Sequence, residues 1–131
     1  MRTHGITPIL LALWVLAVAF HAYEALTEWI NFLDWISVLF GFGLLGWSLI
    51  PYIAAAALTL ATRRALLGIA PTALALLLDL YTLFVVRSSH SSTAGLAYLW
   101  TPFWNLILVV PLGAGGALLW LRFRHSDANA P

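Results

Sequence analysis

"RRALLGIAPTALALLLDLYTLFVVRSS", residues 63–89, decides how this chain is read. Between Arg64 and Arg87 the stretch carries one charged residue, Asp79. About 20 apolar residues are needed for a helix to cross the hydrocarbon core of a bilayer, and residues 65–86 have that length. Inside the run, Gly68, Thr72, Ala75, Asp79 and Thr82 recur at intervals of three and four. That spacing puts them on one stripe of a helix. Lipid accepts apolar bulk everywhere, so a stripe of small and polar residues marks the side that packs on other helices. The stretch therefore reads as a membrane span whose inner face carries a carboxylate.

Three further stretches qualify, so the spans run over about 6–26, 36–60, 65–86 and 99–121. The expected fold is an all-α integral membrane protein, a four-transmembrane-helix bundle. Its short connections make sequential helices antiparallel neighbours. Residues 1–125 form the single membrane domain, and residues 126–131, "SDANAP", form a polar tail expected to be disordered.

Composition supports the same class. Charged residues make up 8% of the 131, against about 25% in ordinary globular chains, and 63% are hydrophobic. Five acids and six arginines cannot coat a soluble fold of this size. The net charge of +1 and the lack of a basic patch argue against nucleic-acid binding. With no cysteine, disulfides, thiolate metal sites and thiol catalysis are excluded.

The arginines give a direction. Arg2, Arg63, Arg64, Arg122 and Arg124 fall on one side of an even number of spans, and Arg87 falls on the other with Glu24, Glu28 and Asp34. Positive charge is retained in the cytoplasm, so both termini are expected there. The expected location is a bacterial inner (cytoplasmic) membrane, crossed in multiple passes, with two loops facing the periplasm. Arg2, the apolar run and Ala17-Val18-Ala19 also resemble a signal peptide. The helical pattern continues through His21, Glu24 and Glu28, so the segment is read as a retained span.

The other spans have inner faces of their own. Span 1 offers Trp14, Ala17, His21, Glu24 and Glu28. Span 2 offers Gly43, Ile50, Ala54 and Ala57, with Gly46 beside them, and span 4 offers Asn105, Val109, Leu112 and Gly116. "GAGGALL", from Gly113, lacks the lysine and strand context of a phosphate loop and reads as a surface for close helix contact.

By depth, Asp79, His21, Glu24 and Asn105 occupy one layer in the outer half, about 10 Å below the end of span 3 for Asp79. Arg87, His90 and the serines of "RSSHSST" roof it. An aspartate inside a span costs about 2.5–3.5 kcal/mol to insert, so it needs a partner. Arg87 lies eight residues on and is out of phase for an i, i+4 pair. His21 is the best candidate. Three readings follow. Asp79 is an interhelical polar lock, or with His21 it is a proton or ion site, or it joins a metal site. His21 and Glu24, one turn apart, are the candidates for that metal, which would be zinc or another divalent ion. No cofactor is expected. The serines near His90 lack any nucleophile elbow and read as a loop that caps span 4, so the chain leans towards a non-enzymatic role.

A four-span chain of this length invites comparison with small multidrug transporters. Those place a carboxylate deep in the first span, whereas Glu24 lies near an outer end, and no further motif matches. The leading expectation is a non-enzymatic accessory, assembly or protective (immunity-like) protein. It would act in the lipid bilayer through helix contacts with itself or with a larger membrane protein complex. The alternative is a homo-oligomeric small transporter or channel with a periplasm-facing Asp79–His21 site.

Overall fold

A computed structural model describes residues 7–91 and 93–127 of the chain. Arg2, Ser92 and residues 128–131 lie outside the described residues. All regular structure among the described residues is helical. Helix α1, Pro8–Glu24, continues through a π-helical turn, Ala25–Trp29. Helix α2 is Trp35–Thr62 and α3 is Leu66–Ser88. A single 3-10 turn, Ala94–Leu96, leads into α4, Ala97–Trp104. A second π turn, Asn105–Val109, joins α4 to α5, Val110–Asp127. Four helical stretches are long and apolar enough to cross a membrane: Pro8–Trp29, Trp35–Thr62, Leu66–Ser88 and Ala94–Arg124. Helix α5 runs on through Ser126 and Asp127, the first two residues of the polar tail.

Local chemistry sets the ends. Thr7 caps α1 by accepting from the Leu10 amide at 3.3 Å, with Pro8 at the first helical position. Asp34 caps α2 through the Ile36 and Ser37 amides at 3.1 and 3.3 Å. Helix α2 stops at Arg63, which takes the left-handed conformation (φ 54°) that lets the chain reverse at once into α3.

Cross-helix contacts give the directions. Tyr52 meets Asp79, and Gly68 packs on Thr59, so α2 and α3 run antiparallel. Asp79 meets Asn105, and Pro71 packs on Gly113, so α3 and the last span run antiparallel. His21 meets Asp79 and Glu28 meets Arg87, so α1 and α3 run parallel. Arg63, Arg64, Arg122 and Arg124 thus share one end of the bundle, the arginine end. Glu28, Asp34 and Arg87 share the other, the acidic end.

The interior of the bundle mixes apolar residues with polar ones, and the outside is apolar. Its buried set includes His21, Glu24, Ser48, Thr59, Thr72, Asp79, Thr82, Thr101 and Asn105. Its surface is leucine, isoleucine, phenylalanine and tryptophan, with Leu33 97% and Phe84 70% exposed. Water would not tolerate that skin, and hydrocarbon does.

The stripe expected on span 3 is buried throughout: Gly68, Thr72, Ala75, Asp79 and Thr82. On α2 the expected stripe is wrong. Gly43, Gly46, Ile50 and Ala57 face outward, and the buried side is Gly41, Leu44, Ser48, Tyr52, Ala55 and Thr59. In the last span the face starts as expected at Asn105 and then moves by one residue, to Val110, Gly113 and Ala117. The cause is the π turn, in which the Val110 amide reaches back five residues to the Asn105 carbonyl. That turn holds one extra residue and re-phases everything after it. The π turn after α1 does the same, where the Ile30 amide bonds the Ala25 carbonyl at 2.9 Å. Glu28 is consequently exposed and Trp29 is half-buried.

Candidate functional site

Asp79 lies on α3 about 13 Å from that helix's acidic end. It is 5% exposed, and each of the other three spans contributes one side chain to it. His21 of α1 donates from Nε2 to Oδ2 at 3.0 Å. The Tyr52 hydroxyl of α2 donates to the same oxygen. Asn105, the first residue of the second π turn, donates from Nδ2 to Oδ1 at 2.7 Å. The carboxyl oxygens thus accept from Tyr52 and Asn105, with a His21 ring nitrogen beside them.

The energetics are close to balance. Polar contacts between spans average about 0.6 kcal/mol and reach about 1.7, so three give about 2 to 5 kcal/mol. Insertion of the aspartate costs about 2.5–3.5 kcal/mol. The network therefore offsets the burial of Asp79 and leaves little net stabilisation.

A second set lies one turn nearer the acidic end. Glu24 is also 5% exposed, and Tyr98 of α4 donates to its Oε1 at 3.3 Å. The Thr82 and Thr101 hydroxyls meet at 3.2 Å, and the Trp47 indole donates to the Leu99 carbonyl at 2.9 Å, which ties α2 to α4. Between the two sets lie two overlapping narrow clefts, of about 210 and 230 Å³. The first is lined by Phe20, Asp79, Thr82 and Thr101, the second by Trp29 and Leu44, and both by His21, Glu24, Ser48 and Tyr98. Each admits a water-sized group at its centre. His21 therefore touches buried Asp79 and also forms part of the cleft wall.

Of the residues expected at the site, His21, Asp79 and Asn105 are in direct contact, and Glu24 lies in the adjoining cleft. Arg87 pairs with Glu28 at 3.5 Å on the surface instead of reaching Asp79. His90 is exposed in the loop after α3. Among the described residues, no group of three or more His, Asp or Glu side chains is set to hold a metal ion. Tyr52, Tyr98 and Ser48 are members that the expected faces missed. The signal for Ser48 and Tyr52 was the spacing Ser48, Tyr52, Ala55, Thr59, which is helical and partly polar. No family model, curated protein or solved structure matches the chain, so its function is argued from this chemistry alone.

Proposed function

We propose that this is a multi-pass membrane protein with both termini cytoplasmic, in which Asp79 and His21 exchange a proton or small cation with the outward side. One observation carries the reading: the partner that holds buried Asp79 also lines the cleft. A neutral imidazole donates from one nitrogen and accepts at the other, so His21 can relay a proton between cleft and carboxylate. The small net stability of the network supports this use over a purely structural lock. The arginine distribution supports this direction, with the acidic end then facing the periplasm of a bacterial inner membrane. Four spans rarely enclose an aqueous path, so passage to the cytoplasmic side runs through a homo-oligomer. The test is proton flux into liposomes under an imposed pH gradient. Wild type should show flux and Asp79→Asn should not. Equal flux in both, or none in wild type, rejects the reading.

A second reading keeps a specific observation. Gly43, Gly46 and Ala57 face outward on α2, where small residues allow another span to approach closely. That favours an accessory or protective protein docked on a larger membrane complex. Native mass after gentle extraction separates the two: a stoichiometric foreign partner supports docking, and a clean homo-oligomer supports transport.

A further inference from the structure

We infer that the cleft beside Asp79 is a binding site for the head group of a small primary ammonium ion, held by Glu24. The inference deepens the proposed function, since it rests on the same cleft opening outward, but it uses a different carboxylate. Glu24 is as buried as Asp79 and has fewer side-chain partners. Its one side-chain partner among the described residues is the Tyr98 hydroxyl. The close contacts of a carboxylate with a His or Arg nitrogen among the described residues are His21–Asp79 and Arg87–Glu28, and neither includes Glu24. The remaining described arginines, Arg63, Arg64, Arg122 and Arg124, stand at the opposite end of the bundle. Arg87 and His21 act on Glu24 only at longer range. A buried carboxylate with no cation in contact is costly, and a cation entering the cleft supplies one.

The lining specifies which cation. A –NH3⁺ group has three donors, and the cleft offers three oxygen acceptors: the Glu24 carboxylate, the Tyr98 hydroxyl and the Ser48 hydroxyl. The central space suits a group the size of water, which fits –NH3⁺ and excludes a quaternary ammonium. The rest of the wall includes two aromatic rings, Trp29 and Phe20. Trp29 stands edge-on to Tyr98 with ring centroids 5.7 Å apart, and Phe20 closes the neighbouring cleft. Such rings attract a cation and cover its carbon chain. Among the described residues no three His, Asp or Glu side chains are grouped to hold a metal ion here.

The probe is methylammonium, titrated into the full chain in lipid nanodiscs, with Trp29 fluorescence and calorimetry as readouts. Saturable binding is expected. Glu24→Gln should weaken it on the order of tenfold to a hundredfold, the loss of one hydrogen bond to a charged group. Should that variant fail to fold, Ser48→Ala and Tyr98→Phe take its place, each with a severalfold loss expected. No saturable methylammonium binding, binding unchanged in these variants, or equal competition by potassium or tetramethylammonium overturns the inference. Asp79→Asn separates it from the proton reading. Methylammonium binding that persists while wild-type proton flux is absent rejects that reading and leaves this one standing. Flux without methylammonium binding does the reverse.

Discussion

Asp79→Leu removes the one acceptor on which three spans converge while keeping a branched side chain of similar shape. The native carboxylate accepts from His21 Nε2, the Tyr52 hydroxyl and Asn105 Nδ2. Leucine leaves all three donors in a buried site. Taking one partner from a buried charged network costs about 3–5 kcal/mol, because the groups left behind lose their solvation. The gain of roughly 3 kcal/mol from no longer inserting an aspartate offsets part of this in the membrane. The expected net loss is up to about 2 kcal/mol, measured by equilibrium unfolding in mixed detergent micelles. Asp79→Asn should cost less. The Oδ1 of Asn105 is buried without a partner, so its amide can turn over and accept from the new asparagine. Leucine must therefore destabilise more than asparagine. The reverse order, or a leucine variant more stable than wild type, would refute the network as the link between the spans.

Replacing the whole set at once should behave differently. His21→Leu, Tyr52→Phe, Asp79→Leu and Asn105→Leu together should recover most of the stability lost by Asp79→Leu alone, as apolar replacements of buried polar networks do, with flux abolished. Tyr52→Phe alone should cost about 0.6–1.7 kcal/mol in the same unfolding assay. Gly113→Ala should destabilise, since its new methyl would fall 2.6 Å from the Pro71 Cα, whereas Gly116→Ala, with nothing within 4 Å, should be neutral. Arg87→Ala should change stability by less than about 1 kcal/mol, because its pair with Glu28 is half exposed on both sides.

Much of this arrangement is legible without coordinates, for a physical reason. A span must be long and apolar, so length and composition place all four, and the ends fall within a few residues of their helices, apart from the earlier start of the last span. The face of α3 is legible because its polar residues are few and lie on one stripe. The face of α2 is not, because its glycines and alanines form a competing stripe that turns out to lie outside. Tyr52 was hidden by that choice, although Ser48 and Thr59 share its side. The last span was misread for a different cause. A π turn adds one residue without any local marker in composition, and the register after Asn105 moves with it. The same effect separates Glu28 from the interior. Polar contacts between distant spans follow from these rotations, which is why the His21–Asp79 pairing was readable and the Glu24–Tyr98 pairing was not.

The most direct test of proton exchange at Asp79 is an infrared difference spectrum of the protein in lipid between alkaline and acidic buffer. The account predicts a protonated-carboxyl band on acidification that is lost in Asp79→Asn and shifted in His21→Gln. A spectrum in which Asp79→Asn removes nothing would contradict it.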